Sequence, residues 1–275
     1  PCGAGGQLIW DDPKPYVVYG IVIIEQCDLI ITPGTQVHVH GGLTRTEDEN
    51  DELLIYNTGR IFIGPNGSIQ SNGTLEEPVI IQGDRLEEGF QEADGQWTGI
   101  VIGQNSKNNR LTHTTIKNSL LGVWVDSSAE LSLKNTQIYN TTGSGVVGLH
   151  SSITAENCLF YNNGNRAVQI VYGGNYNFTY CTLASFGVDA PALSLSNGIC
   201  DDPLCTTGRW DYLNAYFKNS IIYGSRRDEI ALSDFSNGAL GSLNYSFVDC
   251  VVRVDELLDE PNGFPDFFDF CNPCV

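Results

Sequence analysis

Methionine is missing from the chain, even at its first position, so a removed leader or a fragment of a longer protein is expected. Basic residues are also scarce: 14 Lys and Arg stand against 33 Asp and Glu, a net charge of -19. That balance excludes a nucleic-acid groove and an anionic membrane surface, both of which need clustered cations. No apolar run approaches the roughly 18 residues of a helical membrane span, so none is expected. The Leu-x-x-Leu-x-Leu frame of leucine-rich repeats never occurs, and neither does the three-to-four apolar spacing of helical repeats.

What the chain does contain is repetition. The stretch "AENCLFYNNG" around Cys158 recurs around Thr136 and Thr114 upstream and around Cys181, Ser220 and Cys250 downstream, at intervals of 22, 22, 23, 39 and 30 residues. A second series, "GIVIG", "GVWVD", "GVVGL", "AVQIV" and "ALSLS", opens on Gly99, Gly122, Gly145, Ala167 and Ala192, spaced 23, 23, 22 and 25 residues. Segments such as "TQVHVHGG" and "GRIFIGPNG" alternate apolar with polar residues, so each repeat is built of strands.

Two series in phase predict an all-β fold: a single-stranded right-handed parallel β-helix, a solenoid of about 22-residue coils. Some ten coils at roughly 4.8 Å each would make a rod on the order of 50 Å long. Thr114, Thr136, Cys158, Cys181, Ser220 and Cys250 should stack as a buried file of small side chains. The Gly and Ala series should mark a tight corner, where a larger side chain would strike the coils above and below.

This organisation gives residues 1–28 as an N-terminal cap with the first strand and 29–254 as the helix. Residues 255–275 are read as an incomplete last coil. Insertions fall near 44–52, 84–97 and 186–216; the last either adds a coil or projects from the side. Nine cysteines favour an oxidising compartment, and the odd count leaves at least one unpaired. Cys2 with Cys27, Cys200 with Cys205, and Cys271 with Cys274 are the disulfide candidates, leaving three ladder thiols. The rival reading, zinc held by "CDDPLC" and "CNPC", must bridge 66 residues from Cys205 to Cys271.

For binding, Trp210 in "GRWDYLNAYF" is the leading candidate. Its flat face and that of Tyr212 suit a sugar ring, while Arg209 and Asp211 can hydrogen-bond hydroxyls. Trp97, Trp124 and Tyr216 are read as further exposed aromatics. Calcium is the one cofactor raised, because hard cations take several carboxylate oxygens and the acidic loops supply Glu47, Asp48, Asp51 and Asp94. The competing reading of those loops is a solvated surface. His38 and His40 should both point outward on one strand, without a third metal ligand. No Ser or Cys nucleophile can be assigned to His113, so no triad can be drawn.

The stretches "TPGTQVHVHGG", "GSIQSNGTLEEPVIIQGDR", "GQWTGIVI", "SKNNRLTHTTIKNSLLGVWVDS" and "VYGGNYNFTYCTLA" resemble the right-handed β-helix repeat proteins exported by certain Gram-negative bacteria. These belong in fold to the pectate-lyase-like superfamily. The resemblance spans nearly the whole chain, and it implies an architecture and a secreted or cell-surface location rather than a reaction. Members of this kind usually continue into a further acidic closing segment. Lyases of the superfamily need stacked carboxylates for calcium with an Arg or Lys base, and no such stack is found. Of the motifs of polygalacturonase-type hydrolases, Asp201-Asp202 alone matches.

The expectation is therefore an exported, non-catalytic β-helix, a structural or interaction module at the cell surface. It would bind a surface glycan or another envelope protein, alone or as a homo-oligomer, filament or outer-membrane assembly. The alternative is a calcium-dependent polysaccharide lyase or glycoside hydrolase.

Overall fold

The computed structural model describes residue 2 and residues 6–47, 53–259 and 263–275. Its strands form three faces of parallel pairs. Face I runs from Gln7–Trp10 and Asp28–Ile31 through Ser68–Asn72 and Asn109–Thr112 to Leu213–Lys218 and Leu243–Val248. Face II runs from Ile21–Ile24 through Arg60–Ile63, Ile100–Ile102 and Val123–Val125 to Leu193–Ser196 and Ile230–Ser233. Two long strands, Val146–Glu156 and Val168–Thr179, turn the corner between them without a break, joining both into one 15-stranded sheet. Face III is a 9-stranded sheet from Tyr16–Val18 to Val251–Val252, against the ten coils expected.

Register follows the sequence repeat. Val79, Thr114, Thr136, Cys158, Cys181, Ser220 and Cys250 occupy one file of face III, each directly over the last. All are buried. Their chemistry has a local cause as well as a size. Thr114, Thr136, Cys158, Cys181, Ser220 and Cys250 each donate to the carbonyl two residues earlier, at 2.8 to 3.4 Å. The residue between donor and acceptor, His113, Asn135, Asn157, Tyr180, Asn219 or Asp249, has φ from 43 to 57°. Asn and Asp tolerate this left-handed region best among side chains. From Thr114 onward the file thus selects a small side chain with a donor one bond from Cβ, after a residue that makes the corner.

The Gly and Ala series is explained by backbone contact. A Cβ on Gly122 would lie 2.2 Å from the carbonyl oxygen of Gly145 on the next coil, and one on Gly99 would lie 2.0 Å from that of Leu121. By register this file continues through Ala167 and Ala192 to Glu229. The Glu229 side chain is fully buried and accepts N–H bonds from Arg226 at 2.7 Å and Ala192 at 2.9 Å. Burial pushes its carboxyl above the ordinary carboxylate range, against the pull of those donors and of Arg253 and Arg226.

Inside, Leu, Ile and Val files give way towards the C-terminal end to stacked Phe178, Phe217 and Phe247. Phe267 closes the stack and is fully buried. Within the segment expected as an N-terminal cap with the first strand, Gln7–Trp10, Tyr16–Val18 and Ile21–Ile24 pair into the three faces. The three expected disulfides are formed, and Cys158, Cys181 and Cys250 remain free and buried.

Two expectations are corrected. Trp97 is fully buried, and its Nε1–H donates to the Lys117 carbonyl at 2.8 Å. His38 keeps its outward register between Val17 and Gln82 but is only 6% exposed. The 84–97 insertion folds back on this part of face III, with Gln96 where a Cβ of Gly41 or Gly83 would stand. His40 lies beside it, half-buried, with Nδ1 2.6 Å from Asp84 Oδ2.

Gly122→Ala should lower stability by about 1–3 kcal/mol through overpacking, whereas Cys158→Ser, which keeps the donor, should cost about 1 kcal/mol or less. Urea unfolding compares them, and equal midpoints would contradict the stacking. A second outcome concerns Glu229. With its pKa raised on folding, the native state binds the extra proton, so this residue's contribution is complete at low pH and is lost as pH rises through the raised value. The stability of the wild type relative to Glu229→Gln should therefore be greater at about pH 4.5 than at pH 7; a difference that does not move would refute the assignment.

Candidate functional site

The 186–216 insertion does not add a coil. It projects as an antiparallel hairpin, Gly198–Cys200 against Gly208–Trp210. Asn197 anchors its base: the side chain donates to Asp234 at 2.7 Å and accepts the N–H of Phe235 at 2.8 Å, and its carbonyl accepts the N–H of Asp211. Phe235 packs so closely that a Cβ on Gly198 would lie 2.2 Å from its ring. At the tip, the Cys200–Cys205 disulfide closes a loop around Asp202. The Asp202 carboxylate accepts backbone N–H bonds from Leu204, Thr206 and Thr207 and hydroxyl bonds from Thr206 and Thr207. These donors hold it well below the usual carboxylate range. Asp201 is ion-paired to Arg209 at 2.7 Å. Asp202 is thus committed to a built turn, and its lowered carboxyl is the opposite of what a general acid needs.

All four binding candidates meet at this hairpin, and the winding brings in partners from earlier coils. The Arg209 guanidinium lies 5.6 Å over the Tyr172 ring, whose centroid is 5.3 Å from that of His150. His150 Nδ1 lies 3.1 Å from the Tyr172 carbonyl oxygen, and Nε2 is 3.8 Å from Asp211 Oδ2. Trp210 and Tyr212 meet edge to face at 5.6 Å and are 36% and 57% exposed. His150 and Tyr172, which sequence reading did not select, stand 22 residues apart, both with positive φ at the same corner of successive coils. That one-coil spacing was the available signal.

Beyond the hairpin the chain enters face I. Leu213, Ala215 and Phe217 turn inward, so Asn214 and Tyr216 point out on the same side, and the exposed Tyr212 immediately precedes the strand. Tyr216 continues an outward file of Gln70, Arg110, Ser132, Thr154 and Asn177. Beside it, Asn244, Asn214 and Asn175 bond side chain to side chain at 3.1 Å. The surface here carries two hollows. One hollow of about 550 Å³ lies over Gln70, Arg110 and Ser132, and another of about 170 Å³ lies over Asn177, Asn214 and Tyr216; Ser152 and Thr154 border both. Trp124 lies elsewhere, half-buried on face II in an outward file with Ile23, Phe62, Val101 and Val147.

The calcium candidates do not converge among the described residues. Glu47 ends the strand Leu43–Glu47, Asp48 and Asp51 lie outside the described residues, and Asp94 borders a hollow with Glu92 and Asn140. No group of three His, Cys, Asp or Glu side chains placed to hold a metal occurs among the described residues. Among the described residues, no helix is long and apolar enough to cross a membrane.

The right-handed parallel winding with three strand faces per coil defines a parallel β-helix protein. Residues 17–183 match the family described as right handed beta helix region, and the chain belongs to that family. No curated protein matches it. Among solved structures, it is similar to the catalytic unit of the thermostable GH87 alpha-1,3-glucanase from Streptomyces thermodiastaticus strain HF3-3, at 11% identity and a TM-score of 0.38. That alignment covers 90% of this chain and 53% of the glucanase chain, so the present chain spans about half its length. It is also similar to the Streptococcus pneumoniae surface protein and adhesin PfbA, at 9% identity and a TM-score of 0.37, over 90% of this chain and 86% of that one.

Proposed function

We propose that this protein is an exported, non-catalytic β-helix that binds a neutral polysaccharide at the cell surface, along face I and against the Trp210 hairpin. The observation that carries this reading is that Asn214 and Tyr216 stand in the polar outward files of face I while the exposed Trp210 and Tyr212 lie just before them, where the hairpin leads into that strand. Asn, Ser, Thr and Gln offer both donors and acceptors to sugar hydroxyls, and the exposed tyrosines and Trp210 offer flat apolar faces. A charge of -19 disfavours polyanionic glycans. The three disulfides suit an oxidising, extracytoplasmic location.

Catalysis is the weaker reading because Asp202 is committed to its turn and Asp201 to Arg209. Affinity electrophoresis through neutral and acidic polysaccharides should show retardation by a neutral one. The Trp210→Ala, Tyr212→Ala double variant should bind about tenfold more weakly or worse, a loss of roughly 1.4 kcal/mol or more. Retention by acidic polymers alone, or unchanged retention of the variant, would contradict the proposal. So would reducing or unsaturated sugar ends released on incubation with or without calcium.

A further inference from the structure

At the C-terminal end of the rod, Cys271 and Cys274 pair in parallel register with Phe247 and Cys250. Cys250 is the last thiol of the buried file, 2% exposed, with Sγ donating to the Val248 carbonyl at 3.3 Å. The segment that lies over it is Pro273 to Val275. Cys250 N–H donates to the Pro273 carbonyl at 3.3 Å, and Val275 N–H donates to the Cys250 carbonyl at 3.0 Å. This pairing sets Cys274 in parallel register with Cys250. In-register residues on adjacent parallel strands lie about 4.8 Å apart with side chains on the same side, a separation within the Cα range that a disulfide spans. Cys274 is itself bonded to Cys271 across a three-residue separation. Cys158 and Cys181 also share adjacent positions of the file, but both are free thiols. At Cys250, by contrast, a thiol faces a disulfide.

We propose that Cys250, Cys271 and Cys274 form a thiol–disulfide exchange site, in which the Cys250 sulfur attacks Cys274 and displaces Cys271. The Cys250–Cys274 bond forms as the Cys271–Cys274 bond breaks. The proton lost by Cys250 is taken up by the released Cys271 sulfur, so no electrons are gained or lost. The last residues are then stapled to the core file, and the free thiol moves from the interior to the half-buried position 271. Burial holds the Cys250 thiol above its ordinary range, which slows the attack in the resting fold.

The test uses the intact native chain without reductant, incubated with N-ethylmaleimide at about pH 8.5, near the ordinary thiol pKa. Peptides are then mapped under acidic, non-reducing conditions. Maleimide on Cys271 together with a Cys250–Cys274 disulfide is the expected result. Label on Cys250 with Cys271–Cys274 intact, or no label on either residue, overturns the proposal. Cys250→Ser should abolish labelling of Cys271, and labelling that persists also overturns it. Ser occupies the same file at position 220, so the variant keeps the corner donor; Cys250→Thr, which repeats the side chain found at Thr136, provides the same measurement in a second background.

Discussion

The structure depends on one constraint: every coil must lie in register on the one before it. The clearest expression is a relay of backbone hydrogen bonds along face III. Leu159 donates to Thr136, Thr182 to Cys158, Ile221 to Cys181 and Val251 to Ser220, each at 2.9 or 3.0 Å. Each acceptor belongs to a residue whose own side chain closes the preceding corner. A register slip would therefore break the relay and the corner together, and would also send inward apolar residues to the outside. Gly99 and Gly122 on face II enforce the same spacing by sterics, since a Cβ at either would strike a backbone carbonyl of the next coil.

Function follows from what that rigidity leaves over. With inward positions committed to the core, the outward positions of face I are held as files at fixed separation, so ordering them for a ligand costs little entropy. Departures from the repeat are confined to insertions, and the most elaborate of these is the hairpin bearing Trp210. Its base is tied to Asn197 and Phe235 and its tip to a disulfide and Asp202. An otherwise exposed loop is thereby made into a fixed platform. The same order reaches the C-terminal end, where the last strand-like segment places a disulfide over the final thiol of the file.

Much of the winding was legible because stacked corners need like residues. Thr136, Cys158 and Cys181 align at one-coil spacing, and Asn135 and Asn157 before the first two mark the turn. The donor requirement was not legible, since a row of small residues looks the same whether it is selected for volume or for a hydrogen bond. The hairpin residues were visible as one stretch, Arg209 to Tyr212. Their partners His150 and Tyr172 lie about 40 to 60 residues earlier and meet them only through the winding. Insertions hid the rest. Glu229 falls 37 residues after Ala192, which concealed its place in the Gly and Ala file. Trp97 and His38 read as exposed because alternation describes a bare face, and it does not foresee a side chain that is enclosed.

Hydrogen exchange at the amides of Leu159, Thr182, Ile221 and Val251 tests the stacked register most directly. Protection together, as the slowest-exchanging block and well behind the Leu204 and Thr206 amides of the hairpin tip, is the predicted result. Rapid exchange at these four amides, or four unrelated rates, would contradict the account.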